Sequence, residues 1–482
     1  MSTLLTLLPL ATLLACAPKH DAPPAPVATA APAPNPLDTR PVIAAPASYT
    51  PPTPEAVKLS HGASVWVLSN RALPLVTVMV QVPGGSALDA AGTEGTAALA
   101  DRMLKQGAGA LDAEAFAAQV ERLGIQLDVG TGHSTSYISM SMRREVMDQA
   151  LDLMADMVLR PRWVARDFLR EQELAASDVQ VSLDELPVVA ARVGYSTWFG
   201  PGHPFSHPPE GTVAGLKAVS LKELKSYHAT AWNAAGASFT VSGDVASAEV
   251  ASRLEARFGA WKASKPALPT IPAAPSRDKT GYVLVDMPGS AQTMFYLLFP
   301  GLGVGDAALP PVRTGTIVLG GTFTSRLNAL LREKRGYTYG ARAGVAALPQ
   351  VGVLTVGTRI RADVTAPAMA DIVAELKRIQ EGVTAEELGK AQGAYKQDQV
   401  ESMETRDGAA AAFAAYQVNG LPPSALAADL VSMQGVSADG VKAAMARYDL
   451  DHALVVLVGD RSTIEKPLID AGFGPFTIAP AL

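Results

Sequence analysis

The chain has 482 residues, 48% hydrophobic and 18% charged, with 46 acidic against 40 basic side chains and a net charge of −6. That is enough apolar material for more than one packed core, and the dispersed basic residues leave no electrostatic footprint for nucleic acid. Cys16 is the single cysteine, which excludes an intrachain disulfide and a multi-cysteine metal site.

Leu4 to Ala15 form an apolar run too short to span a bilayer, ending in "LLAC". The run resembles a bacterial lipoprotein signal, residues 1–16, which implies that the Cys16 thiol carries lipid after cleavage. A signal peptide cut elsewhere is the alternative. Ala17 after the cysteine, rather than Asp, favours the outer membrane among bacterial lipoproteins, so the expected location is the cell envelope, facing the periplasm. Residues 17–54 are rich in Pro and Ala and read as a solvated tether. Beyond them no stretch offers eighteen consecutive apolar residues, so the expected attachment is an anchor and not a span.

The body opens with "VKLSHGASVWVLSNRALPLVTVMVQVPGGSA", two β-rich runs separated by a turn region at Asn70–Pro74. "GTEGTAALADRMLKQGAG" then reads as a helix over about Glu94–Gln106. Ala97, Ala100, Met103 and Leu104 recur at helical spacing, Glu94 sits in the first turn and Gly107 can close the end. On that helix Ala98 and Arg102 share one face, with Asp101 beside them. Next are expected a helix at Ala113–Leu123, a strand at Ser134–Met142 with Ile138, Met140 and Met142 on one face, and a helix at Arg144–Val158.

The second half repeats the plan. "GYVLVDMPGSAQTMFYLLFPG" gives paired strands, "LGGTFTSRLNALLREKRG" a helix closed by Gly336, and "VGVLTVGTRIRA" a strand, with helices following through Lys377, Ala391 and Val400. The halves also close alike, with "ASFTVSGDV" and "HALVVLVGD". Corresponding features lie about 220 residues apart, which implies a duplication. The expected organisation is an N-terminal domain at 55–263, a Pro-rich linker at 264–279 and a C-terminal domain at 280–482, each a layered α/β or α+β unit.

Together these stretches resemble the insulinase/pitrilysin group of zinc peptidases, most closely its two-domain branch similar to mitochondrial processing peptidase. The carrying motifs are "VPGGSALDAAGTEGTAALADRMLKQGA", "GPGHPFSHPPEGT", "VSGDV", "GSAQT", "LGGTFTSRL", "LREKRGYTYGA" and "LVGD". The resemblance implies an α+β fold of two homologous domains, each with a mainly antiparallel sheet packed against helices, forming half of a clamshell. Active members carry a His-x-x-Glu-His helix and a third ligand, a Glu about seventy-six residues beyond the second His. Two histidines four apart project from one helix face onto zinc, and the intervening Glu takes a proton from the metal-bound water.

In this chain Ala98 and Arg102 stand at the two histidine positions, Asp101 at the glutamate and Asp178 at the third ligand. Alanine has no donor atom and arginine stays cationic, so no zinc is expected on this chain. Arg102, Asp101 and Asp178 are instead expected either to pair with one another or to stand as separate solvated charges. His203 and His207 in "GHPFSHPP" offer no replacement, since prolines 204, 208 and 209 oppose a helix presenting both rings. Gly pairs such as that in "LGG" lack a phosphate-loop Lys and read as turns.

In "LREKRGYTYG", Arg332 and Tyr339 resemble the Arg/Tyr pair with which family members grip a peptide across the cavity. The expectation is a zinc-free subunit, inactive alone, that supplies the substrate-binding half of a chamber to a homologous zinc-bearing partner. The competing expectation is a scaffold built on an inactive peptidase fold. No glycine-flanked serine elbow supports a hydrolase with another nucleophile.

Overall fold

Along Leu75–Pro83, Val76, Val78, Val80 and Val82 point into a core shared with the helices of the first half. The intervening Thr77, Met79 and Gln81 are also buried, so this strand has protein on both faces. The computed structural model describes residues 48–263, 268–273 and 277–480; Cys16, the expected signal peptide, most of the tether and parts of the linker lie outside them. From Tyr49 onward the chain forms one compact unit.

The first sheet runs in the order Glu55–Lys58, Ser64–Ser69, Ser238–Gly243, Leu75–Pro83, Thr135–Arg143, Gln126–Thr131. The second runs Thr477–Ala479, Gly281–Asp286, Leu454–Gly459, Gln292–Pro300, Gly352–Arg361, Thr338–Ala347. In both, the second and third strands are parallel and the remaining inner pairs antiparallel. Only the first edge differs, antiparallel in one sheet and parallel in the other. The fold is thus a duplicated α+β layer of two sheet-and-helix domains.

What covers the second face of each sheet was not visible in the sequence. Helix Leu186–Phe199 belongs to the first half, yet Val189, Ala190, Val193 and Trp198 pack on Met294, Leu298, Val456 and Val458 of the second sheet. Its counterpart after the duplication, Arg406–Gln417, lies on the first sheet: Phe413 packs with Trp66, Gln417 donates to the Ser64 carbonyl over 3.2 Å, and Asp407 accepts from Thr77. Each half therefore lends the equivalent helix to the other.

Local differences from the sequence reading have identifiable causes. The site helix is shorter than expected, Thr96–Met103, and Glu94 lies outside it. Gly320 and Gly321 end a π-helical stretch, Ile317–Gly321, and do not form a turn; a Cβ on Gly320 would lie 2.5 Å from the Ala343 nitrogen, so glycine lets the backbone meet the neighbouring strand.

Candidate functional site

The helix Thr96–Met103 is started by a residue the sequence reading passed over. Gly95 is left-handed (φ 110°), and the Asp89 carboxylate accepts from the backbone N–H groups of Gly95 (2.7 Å) and Ala97 (2.8 Å). Those donors are the unpaired ones of a first helical turn. Burial raises the Asp89 carboxyl to about 7 against the pull of these two bonds. Ala97, Leu99, Ala100 and Met103 turn into the core, which leaves Ala98 and Arg102, one turn apart, on the outer side.

Arg102 is held by two carboxylates of the helix Ala165–Ser182. Its Nε lies 3.2 Å from Glu171 and its Nη1 2.9 Å from Asp178. The expected contact between Arg102 and Asp178 is present, whereas Asp101 does not take part. Asp101 is buried and accepts from the Thr131 hydroxyl (2.5 Å) and the Trp232 indole N–H (3.2 Å). Its burial outweighs those bonds and raises its carboxyl to about 7. Glu171 was missed in the sequence, although it stands two helical turns before Asp178, on the same face.

This donor set does not fit zinc. Ala98 offers no atom, Arg102 places a cation between the carboxylates, and Asp101 faces inward with both oxygens engaged. Among the described residues no group of three or more His, Cys, Asp or Glu is arranged to hold a metal ion. His203 is buried, takes a hydrogen bond from the Phe205 N–H (3.0 Å) and stacks on Phe199. His133 stacks on Tyr195, and burial lowers its imidazole to about 4.

The degenerate site opens on a cavity of about 680 Å³ lined by Ala98, Arg102 and Asp178 and by apolar side chains that include Val129, Val188 and Leu216.

In the second half, Arg332 lies in the π-helical stretch Asn328–Lys334, and its guanidinium sits 4.7 Å from the ring centre of the exposed Phe323. Tyr339 is 91% exposed. A β-bulge between Thr338 and Ala341 carries it out of the regular ladder. Asn328 fixes that bulge, donating to the Ala341 carbonyl and accepting from the Ala341 N–H, each over 2.9 Å. Arg332 and Tyr339 thus lie on adjoining elements tied together by Asn328.

A duplicated sheet-and-helix body whose site helix offers no metal donor at Ala98 or Arg102, beside the carboxylates of Asp101 and Asp178, defines a peptidase-type fold with a degenerate centre. Two family models match, "Insulinase (Peptidase family M16)" over residues 65–198 and "Peptidase M16 inactive domain" over residues 218–395, and the chain belongs to the insulinase family. Similar sequences include an "Uncharacterized zinc protease" of Rickettsia bellii, 21% identical over 69% of this chain and 80% of that one. "Uncharacterized zinc protease YmxG" of Bacillus subtilis is 22% identical over 72% of this chain and 83% of that one. A "Probable mitochondrial-processing peptidase subunit beta" of Arabidopsis thaliana is 24% identical over 43% of this chain and 39% of that one. In fold the chain is similar to a peptidase M16 inactive domain from Pseudomonas fluorescens, with TM-score 0.79 and 24% identity over 84% of this chain and 98% of that one. A protease from Helicobacter pylori also has TM-score 0.79, at 20% identity over 84% of this chain and 99% of that one.

Proposed function

We propose that the chain is the zinc-free subunit of a heterodimeric zinc metallopeptidase. In this reading it supplies the Arg332/Tyr339 half of a peptide-binding chamber, a homologous partner supplies zinc, and a lipid on Cys16 anchors the assembly in the cell envelope. One contrast carries the reading. The metal position is filled by an arginine bound to Glu171 and Asp178, while Arg332, over the Phe323 ring, and the exposed Tyr339 remain at the surface. A guanidinium donates to peptide carbonyls or carboxylates, and a phenol donates to an oxygen on which charge develops. A scaffold needs neither group exposed.

The test is to solubilise the tagged chain from its native envelope and identify what copurifies in stoichiometric amount. A partner with an intact zinc helix, and chelator-sensitive peptidase activity only in the mixture, is the expected result. A chain that purifies alone, or with a non-peptidase partner, would favour the scaffold.

A further inference from the structure

A second pocket, of about 500 Å³, opens in the C-terminal half between the π-helical stretches Ile317–Gly321 and Asn328–Lys334 and the helices Thr365–Gln380 and Ala385–Ser402. Two charged side chains in its lining are more than nine-tenths buried, Arg326 at 7% exposed and Glu375 at 8%. Each is only partly bonded. Arg326 donates to Glu387 from Nε (2.7 Å) and Nη2 (2.8 Å), and from Nη2 to the Gly382 carbonyl (2.9 Å), while its Nη1 has no partner among the described residues. Glu375 accepts from Arg378 at Oε1 over 3.0 Å, while its Oε2 has no partner among them. Buried polar groups are almost always satisfied, so these two atoms call for a ligand that accepts at one and donates at the other.

The charges of the lining narrow the choice. Arg326 pairs with Glu387, Arg378 with Glu375 and Lys390 with Glu386, which leaves Lys334 over. A ligand with one negative charge is therefore favoured. Ile317, Val318, Leu330 and Ala391 add apolar wall. The last residue of a peptide has all of these properties: a carboxylate that accepts, an adjacent backbone N–H that donates, one negative charge and a side chain. The pocket also adjoins the surface already assigned to peptide, since Thr322 and Thr324 flank Phe323 in sequence, and Leu330 and Lys334 belong to the same stretch as Arg332.

We infer that this pocket holds the C-terminal residue of a bound peptide, its carboxylate accepting from Arg326 and Lys334 and its last backbone N–H donating to Glu375. The inference rests on the peptide-binding reading above and names the part of the peptide that the second half reads. Capture of a terminal carboxylate is a recurring mode of peptide recognition, and its charge-assisted bonds are the strong ones. Replacing the carboxylate by a carboxamide is expected to weaken binding about tenfold or more.

The test measures fluorescence anisotropy of two N-terminally labelled peptides of one sequence, with a free or an amidated C-terminus, on the full chain in detergent at physiological ionic strength. Ala329 and Lys334 are exposed residues of the lining, so Ala329→Trp obstructs the pocket and Lys334→Gln removes its spare cation, each checked for an unchanged melting temperature. The expected result is about tenfold tighter binding of the free acid by the wild type, equal binding of the two forms by Ala329→Trp and a reduced difference in Lys334→Gln. Arg332→Ala should weaken both forms with the difference kept. A wild type that binds neither form or does not discriminate, or a difference undiminished in both folded lining variants, overturns the inference. If the two forms bind alike but Arg332→Ala weakens both, the subunit reading stands without the pocket. If Ala329→Trp removes the difference and Arg332→Ala changes nothing, the pocket stands and the role given to Arg332 falls.

Discussion

Arg102 Nη1 lies 2.9 Å from a carboxylate oxygen of Asp178, and this contact ties the site helix to the helix Ala165–Ser182. The two carboxylates that hold Arg102 differ in burial: the Asp178 side chain is 65% exposed and that of Glu171 only 9%. Removing the cation therefore matters mainly through Glu171. Arg102→Ala is expected to destabilise the body by about 1–3 kcal/mol, the cost of leaving a buried acceptor short of its partner. Asp178→Asn is expected to cost less than about 1 kcal/mol, as for an exposed ion pair. Urea unfolding of both variants checks the order; equal losses would contradict it.

If the arginine is what keeps a metal out, restoring donors should admit one. In the triple variant Ala98→His, Arg102→His, Asp178→Glu, two imidazoles one helical turn apart face a carboxylate on the neighbouring helix. At a hundredfold excess over its Kd, zinc would add about 2.7 kcal/mol, and raise the melting temperature of this variant by several degrees. The wild type should not respond, because its guanidinium and Ala98 are unchanged. Differential scanning fluorimetry with and without zinc separates the two.

Asp101 gives a pH dependence of definite sign. Burial raises its carboxyl from 3.8 to about 7, so between those values the folded chain keeps a proton that the unfolded chain has released. The contribution of Asp101 to stability is full near pH 4 and below, falls as pH rises towards 7 and is gone above it, whereas His133 and His228, lowered to about 4, contribute with the opposite sign between pH 4 and 6.5. Asp89, raised to about 7 for the same reason, adds a decline of the same sign. Asp101→Asn should flatten the fall by an amount on the order of a few kcal/mol without abolishing it. Thermal melts from pH 4 to 8 would contradict this if the variant and wild type ran parallel.

The succession of strands and helices along the two halves was legible because β-rich runs and glycine turns recur at matching positions, and the helix Ala113–Leu123 was read to the residue. Helical spacing put Ala98 and Arg102 on one face, and the family resemblance, not any interval along a helix, placed Asp178 with them. Asp89 was hidden because it reaches the helix it caps from outside, across a loop. The exchange of Leu186–Phe199 and Arg406–Gln417 was hidden because an apolar helix face does not say which sheet it covers. That exchange makes the halves interdependent. Phe413→Ala, in the second half, removes the ring packed against Trp66 of the first sheet and is expected to cost about 3–5 kcal/mol. It should lower a single cooperative melting transition. Two transitions, with only the later one shifted, would show that the halves melt independently.

Arg332 and Tyr339 separate function from stability most cleanly. Tyr339 stands 91% exposed on its bulge, and the Arg332 side chain is 38% exposed, with its guanidinium over Phe323. Substitutions at such positions usually change stability by no more than about 0.5 kcal/mol. Arg332→Ala and Tyr339→Ala should therefore leave the melting temperature and recovery of the partner unchanged. In the reconstituted complex each should lower peptide turnover about ten- to hundredfold, as when one positioning or charge-stabilising donor is lost. Tyr339→Phe divides the roles of ring and hydroxyl: a hydroxyl that donates to the peptide makes Phe as poor as Ala, whereas a stacking ring makes Phe nearly wild type. Asn328→Ala reaches the same readout through the backbone, since it frees the Ala341 carbonyl and N–H that fix the bulge. It should reduce both stability and turnover, whereas the two surface substitutions reduce turnover alone. Unchanged turnover in Arg332→Ala and Tyr339→Ala, with the complex intact, would remove the reason for calling this chain the substrate-binding half.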